Sequence, residues 1–254
     1  MAVYREGFSV DTKADASPVT EADLRAHRVL VEGLATLGGL PVLSEEGVED
    51  IDPAERRTWT RYWLVDPLDG TREFIHRRDE FTVNVALIDQ HRPSLGVVHL
   101  PVTGESWWGI PGSGAGRVEA NGAHTAIQAA PRAAEPVRVL GSHSHRDPFL
   151  GAYLEALGPH RLHTAGSSLK FCRIAEGAAD LYPRFGPTAE WDTAAGQAVA
   201  EAAGASVVDL EGQPLRYNTA TGLRNGFFMV FADRQRDWLS AVPAATRDAG
   251  RREP

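Results

Sequence analysis

The sequence predicts an α+β fold of layered sheets with helices between them. Three observations predict it. The first half carries successive apolar, β-leaning runs joined by short polar turns, the pattern of antiparallel hairpins. The second half alternates strand-like and helix-like segments. The chain is 254 residues long, with 43% hydrophobic and 24% charged residues, enough for one large domain or two lobes sharing a core. Residues 111–136 are rich in Gly, Ala and Pro with little periodicity. They mark the expected boundary inside a single domain (residues 1–254), with an N-terminal lobe to about residue 133 and a C-terminal lobe from about 134.

Taken in order, residues 1–19 read as polar and mostly irregular. Thr20 caps a helix, and Asp23 stands at the capping-box position. Leu24, Leu30, Val31, Leu34 and Leu37 give that helix one apolar stripe, and Gly38-Gly39 stop it. Leu40–Leu43 is a short buried strand running into Ser44-Glu45-Glu46-Gly47, and Pro53 to about Thr58 is a short helix. Tyr62–Val65 is a strand that Pro67 should end, because proline cannot donate to a ladder. Phe81–Ile88 and Leu95–Leu100 form a hairpin, followed by a strand over Glu105–Ile110. Beyond the boundary come strand Val137–Leu140, helix Asp147–Leu157 capped by Asp147, and strand Arg161–Thr164. Helix Ser167–Glu176, strand Ala179–Tyr182 and the Ala-rich helix Trp191–Ala203 follow, the last ending at Gly204. Strands Ala205–Asp209 and Phe227–Val230 and a helix from about Arg234 to Leu239 complete the chain before a fraying tail.

Composition excludes several classes of function. The formal charge is −8 and no long Lys/Arg run appears, so no nucleic-acid polymer is expected as a partner. The single cysteine, Cys172, rules out an internal disulfide or a Cys-based metal site and reads as core. No apolar leader core follows Met1, and no segment approaches the ~20 apolar residues of a membrane span. A cytoplasmic protein is expected, for which peripheral contact with the inner membrane stays open.

Acidic residues gather at element ends: Asp23, Glu45/Glu46, Asp66/Asp69 and Asp192. Each has an ordinary explanation. Asp66-Pro67-Leu68-Asp69-Gly70 is turn chemistry, Asp23 and Asp192 suit the first turn of a helix, and Glu45/Glu46 fit a solvated loop. Together, however, several carboxylates and a backbone carbonyl make a Mg²⁺-type site, and two cations sharing Glu45 and Asp66 would clamp a phosphoryl group. The chain has no Cys-x5-Arg nucleophile, no Gly-x4-Gly-Lys-Ser/Thr loop and no zinc-type His pair. Metal-assisted hydrolysis is the mechanism these residues permit. Gly166-Ser167-Ser168-Leu169-Lys170 combines a helix start, two hydroxyls and a cation; it suits an anion, and equally an ordinary Ser cap with a solvated Lys.

Three segments together resemble one family. Asp66-Pro67-Leu68-Asp69-Gly70-Thr71, Trp191-Asp192-Thr193-Ala194-Ala195-Gly196 and Ser44-Glu45-Glu46 match, in order, the signatures of the lithium-sensitive, Mg²⁺-dependent phosphatases that include inositol monophosphatases. Lys13–Thr20, Arg61–Asp66, Gly166–Cys172 and Leu181–Thr188 are similar to the bacterial CysQ branch, the 3′(2′),5′-bisphosphate nucleotidases. The likeness spans about residues 8–230.

The resemblance implies an α/β/α/β/α sandwich of the inositol monophosphatase and sugar phosphatase type. It implies hydrolysis of adenosine 3′,5′-bisphosphate to AMP and phosphate, with Li⁺ inhibition. Carried over by motif, Glu45, Asp66, Asp69, Asp192 and the Leu68 carbonyl would bind Mg²⁺. Thr71, backed by Asp23, would orient the attacking water beside Glu45, and Gly70 and Thr71 N–H groups would meet the scissile phosphate. Ser167, Ser168 and Lys170 would hold the remaining phosphate, with Glu45, Leu68, Asp69 and Asp192 also facing substrate. Ser144 and His145 match a pair in the family's nucleotide-binding region. Inositol monophosphatase or a broad sugar-phosphate phosphatase is the alternative activity, and a silent nucleotide- or metal-binding regulator is the alternative class. One departure is expected: the chain starts too late for the extra helix that usually precedes the Val10–Thr20 segment, leaving closure of the Lys13–Ser17 loop in question.

Overall fold

The computed structural model describes residues 1–6, 10–12, 18–143 and 147–251. The Lys13–Ser17 loop and the Ser144–His145 pair lie outside the described residues.

A short helix, α1 (Ala2–Glu6), opens the chain where irregular structure is expected. Five residues cannot hold a helix alone. Tertiary packing holds it: buried Tyr4 sets its ring 4.9 Å from those of both Phe74 and Phe81. A helix therefore does precede Val10, against expectation. β1 (Val10–Thr12) and β2 (Pro18–Thr20) pair antiparallel, in runs too short to show a period.

In α2 (Glu21–Ala35) the expected capping box is present, with Thr20 Oγ1 accepting from Ala22 N and Asp23 Oδ2 accepting from Thr20 N at 2.8 Å. The predicted stripe is corrected. Leu34 is buried, but Leu24 is 43% and Leu37 57% exposed. The helix lies on the outer face of a sheet and touches it mainly through Leu30 and Leu34, against Trp63, Val65 and Leu87. Leu37 falls beyond the last turn.

β3 (Val42–Ser44) leads into a 3₁₀ turn over Glu45–Asp50 and then α3 (Pro53–Arg56). β4 (Arg61–Asp69) runs past the predicted stop at Pro67. Its register with β5 (Thr82–Asp89) shifts between Asp66 and Asp69. Pro67 sits in that bulge, where no ladder donor is needed. α4 (Thr71–Ile75) lies between the two strands in sequence. β5 and β6 (Arg92–Leu100) form the predicted hairpin, turning through Gln90 and His91 at φ 51° and 65°. β7 (Glu105–Ile110) follows as predicted, and β8 (Gly114–Val118) and β9 (His124–Ala126) carry strands into the Gly-rich region. The order is β3-β4-β5-β6-β7-β8-β9, antiparallel except for the β3–β4 pair.

The second half supplies β10 (Val137–Ser142), α5 (Leu150–Leu157), β11 (His160–Ala165), α6 (Leu169–Ala175), β12 (Leu181–Arg184) and β13 (Thr188–Ala189). α7 (Glu190–Ala202), β14 (Ser206–Asp209), β15 (Arg224–Asn225), β16 (Phe228–Phe231) and α8 (Ala244–Gly250) complete it. Asp147 caps as predicted, but as a turn before α5: its Oδ1 accepts from Phe149 and Leu150 N–H. The predicted Arg234–Leu239 helix is absent. That segment turns around buried Trp238, whose Nε1 donates to the Asp233 carbonyl at 2.7 Å, and the last helix starts after Pro243.

The second sheet has the order β11-β10-β12-β16-β14. α6 and α7 lie between the sheets, and α5 covers the far face of the second through Tyr153, Leu154 and Leu157. With α2 outside, the layers are α/β/α/β/α. α7 packs close enough that a Cβ on Gly109 of β7 would lie 2.5 Å from Val199 Cα. Small residues there let the helix that carries Asp192 press onto the sheet that carries Asp66 and Asp69.

Candidate active site

The bulge in β4 and the first turn of α7 bring three carboxylates together. Asp66, Asp69 and Asp192 each place an oxygen within 4.8 Å of the others. Each is held by backbone N–H on one oxygen. Asp66 Oδ1 accepts from Leu68 at 2.9 Å, Asp192 Oδ2 from Ala189 at 2.9 Å, and Asp69 Oδ2 from Ser168 at 2.5 Å. The second oxygen of each accepts no hydrogen bond from the described residues. Burial, reinforced by Glu45, Asp69 and Asp192, pushes the Asp66 carboxyl well above the usual range. Burial, then Asp69 and Glu45, does the same to Asp192. Asp69 is raised by burial and eased back by Lys170. Such a set of mutually repelling acids, Asp66 buried and Asp69 and Asp192 half-buried, is the donor set a multivalent cation satisfies.

The cleft over this cluster is about 260 Å³. Glu45, first in the 3₁₀ turn after β3, lines it beside Asp66, though it stands outside the trio. Gly70, at φ 90°, lets the chain turn from bulge into α4, and with Thr71 it opens that helix where N–H groups lack helical partners. Thr71 Oγ1 faces Asp23 Oδ1 at 3.3 Å and the Leu68 carbonyl at 3.4 Å. Asp23 thus divides its oxygens: Oδ2 caps α2 and Oδ1 meets Thr71. The cap and the contact to Thr71 coexist, as the sequence allows.

Ser167, Ser168 and Lys170 also line the cleft, but their polar atoms are largely engaged. Ser168 Oγ lies 2.7 Å from Thr82 Oγ1 and donates to Asn84 Oδ1 at 2.6 Å. Ser167, at φ 42°, donates its hydroxyl to the Glu80 carbonyl at 2.9 Å. Lys170 Nζ donates to the Ser167 and Ala165 carbonyls at 2.6 and 3.2 Å. Burial lowers its pKa to about 8, against the pull of Asp69. Helix α6 begins at Leu169, two residues later than predicted, so Ser168 is its cap position without a side-chain cap bond. Its backbone N–H is used on Asp69 instead.

Sequence reasoning missed four contributors. Thr82 and Asn84, on one face of β5, hold Asp69 Oδ2 and Ser168; two polar side chains two apart in an apolar strand are the available signal. Arg184 is 7% exposed and lines the cleft; its Nη2 donates to the Pro187 carbonyl at 3.1 Å, while its buried Nε has no partner among the described residues. Its place inside the Tyr182–Thr188 run was the only hint. Asn225, from β15, donates to the Ala189 carbonyl at 2.8 Å and to Thr193 Oγ1 at 3.0 Å, bracing the start of α7.

Residues 1–238 match the family model described as the inositol monophosphatase family. The chain is 52% identical to the 3′(2′),5′-bisphosphate nucleotidase CysQ of Escherichia coli K12 over 227 residues, 88% of this chain and 89% of that protein. It is 34% identical to the Haemophilus influenzae protein of the same name over 239 residues, 93% and 88% of the two chains. The crystal structure of CysQ from Bacteroides thetaiotaomicron superposes with a TM-score of 0.76 at 41% identity, covering 87% of each chain. The Thermotoga maritima IMPase superposes with a TM-score of 0.76 at 25% identity, covering 95% of this chain and 89% of the other. The carboxylate cluster, the five layers and these likenesses agree: the chain is a CysQ-type member of the inositol monophosphatase family.

Proposed function

We infer that the chain is a metal-dependent 3′(2′),5′-bisphosphate nucleotidase, hydrolysing adenosine 3′,5′-bisphosphate to AMP and phosphate. The observation that carries the chemistry is the trio of carboxylates, Asp66 buried and Asp69 and Asp192 half-buried, each steered by a backbone N–H, at the floor of a cleft that also holds Lys170 and Arg184. The 52% identity to a nucleotidase carries the substrate. The cleft draws residues from both halves of the chain, so we read the chain as one catalytic unit.

The donor set fits Mg²⁺: hard oxygens, mutual repulsion, and one oxygen of each carboxylate left for a ligand. Glu45, Asp66, Asp69, Asp192 and the Leu68 carbonyl would hold it, and when bound it supplies charge neutralisation and a nucleophilic water at neutral pH. Uncatalysed phosphate-monoester hydrolysis needs up to about 10²¹-fold acceleration, which explains so costly a cluster.

The chain's own groups do the rest. The Thr71 hydroxyl donates to Asp23, which leaves its oxygen facing the cleft as an acceptor for the attacking water. Gly70 and Thr71 N–H groups receive the scissile phosphate at the opening of α4. Lys170 has one N–H left after its two carbonyl bonds, and Arg184 lines the cleft with a guanidinium of which only Nη2 is bonded among the described residues. These two cations, rather than the engaged Ser167 and Ser168 hydroxyls, receive the second phosphate; the serines shape the loop. A phosphate-release panel with Mg²⁺ tests the reading. Adenosine 3′,5′-bisphosphate should be turned over in strong preference to inositol 1-phosphate, with the 5′-phosphosulfate analogue as third substrate. Equal or better turnover of the inositol substrate overturns it.

A further inference from the structure

The two-stranded sheet of β13 and β15 is a partition between two cavities. On one side Thr188, Asp192 and Thr193 line the catalytic cleft. On the other, Glu190, Arg224 and Asn225 line a second cavity of about 400 Å³, larger than the cleft and within the size range of small-molecule pockets. The strands pair Thr188 with Asn225 and Ala189 with Arg224. One layer of backbone thus separates the rear cavity from the residues that set Asp192.

The rear cavity has a built interior. Its apolar wall is formed by Leu210, Pro214, Leu215 and Phe227. Glu190 and Asn225 contribute polar atoms from side chains only 3% and 7% exposed. Glu190 Oε2 accepts from Asn218 N–H at 2.7 Å, and Asn225 Nδ2 is spent on the α7 entrance. Glu190 Oε1 and Asn225 Oδ1 accept no hydrogen bond from the described residues, which leaves both free to accept from an occupant of the cavity. At the rim, Arg216 and Arg224 are exposed cations with no side-chain partner among the described residues. The rim acids are engaged: Asp209 Oδ1 accepts from Glu211 and Gln213 N–H, and Glu211 lies 3.8 Å from Arg251. Arg247 is bound to the Leu210 and Leu239 carbonyls.

Acceptors inside, apolar walls and free cations outside describe a ligand with a flat donor-bearing head and an anionic tail. We propose that the rear cavity is a second site, for a nucleoside monophosphate. The exocyclic amine of the base meets Glu190 and Asn225, and the phosphate meets Arg216 and Arg224. The occupant bears on Asn225, which braces Ala189 and Thr193; Ala189 N–H in turn holds Asp192. Occupancy therefore changes the metal requirement of the catalytic cleft, a coupling between two distinct sites.

The test is titration of the whole protein with AMP by calorimetry in EDTA, for wild type, the double variant Arg216→Glu/Arg224→Glu, and the cleft variant Arg184→Gln. Saturable binding is expected, weakened about tenfold or more in the double variant and kept in the cleft variant. No saturable binding, or binding that survives the double variant, overturns the site. Loss of binding through Arg184→Gln instead assigns it to the cleft and overturns the site too. The second arm measures the Mg²⁺ concentration for half-maximal turnover with and without AMP. At least about a twofold shift is expected in wild type and none in the double variant, whose basal turnover should be unchanged; an equal shift in both, or none in either, overturns the coupling. The turnover arm rests on the nucleotidase reading, whereas AMP binding in EDTA does not. Failure of the substrate panel with intact rim binding would sink only that reading.

Discussion

Replacing Asp192 with asparagine should stabilise the metal-free protein while removing its use for metal. Asparagine keeps an acceptor for Ala189 N–H, so the 2.9 Å bond that holds the residue survives. What disappears is one negative charge from a cluster whose ligand oxygens lie within 4.8 Å of one another. At that separation and an effective dielectric of about 20, like charges repel by about 3.5 kcal/mol per pair. Protonation relieves part of this, because burial, Asp69 and Glu45 hold Asp192 well above the usual carboxyl range. A net gain of about 1–2 kcal/mol remains, or about 2–8 °C in Tm for a chain of this size. The sign with pH follows. An acid whose folded pKa is raised binds more protons folded than unfolded, so stability is fullest below the unfolded value, 3.8, and falls as pH rises through the folded value. Thermal melts in EDTA across pH should show that fall in wild type and a shallower one in Asp192→Asn. Added Mg²⁺ should raise the Tm of wild type and leave the variant nearly unmoved. A lower Tm for the variant in EDTA would refute the repulsion argument and make Asp192 a structural cap first.

The remaining expectations concern single contacts. Asp69→Asn should cut Mg²⁺-dependent phosphate release by about 10³-fold or more in steady-state assays, since the amide keeps the Ser168 N–H acceptor but loses the charge. Thr71→Ala should lower kcat by about 10²-fold with little change in KM, and Thr71→Ser should recover most of it, because only the hydroxyl is used. Arg184→Gln should raise KM for the bisphosphate by about ten- to a hundredfold while the fold, followed by circular dichroism, stays intact; an unchanged KM removes it from phosphate reception. Gly196→Ala pits helix propensity, a gain of about 1 kcal/mol, against a Cβ placed 2.5 Å from Phe171 Cγ. Overpacking of about 1–3 kcal/mol should win, and a denaturant midpoint above wild type would show that α6 and α7 yield freely.

Much of the site is legible in the sequence because its parts are short-range devices. The Thr20–Asp23 box and the Asp192–Ala189 bond both span three residues. The Asp66 clasp on Leu68 N–H spans two. Hydrogen bonds of that range depend on residue type and local dihedrals, which spacing reveals. The errors have a common cause as well. Pro67 was expected to end β4 because a ladder donor is missing, yet the bulge shared with β5 removes the need for one. The α1 helix and the absent Arg234–Leu239 helix were misjudged because packing of Tyr4 and Trp238, rather than local propensity, decides both.

By itself the sequence marked the residues that line the cleft: the paired acids before Gly70-Thr71, the acid opening α7, and the Ser-Ser-Leu-Lys loop. The tertiary structure alone decided which of them meet and which are already engaged. Three carboxylates converge because sheet register and the close seat of α7 bring residues far apart in sequence to one point. Ser168 N–H reaches Asp69 across 99 positions, and its hydroxyl is consumed by Asn84 across 84. No local pattern encodes such partners, since they depend on how two sheets stack through one helical layer. That stacking turns a row of turn-forming acids into a close carboxylate cluster that calls for a cation.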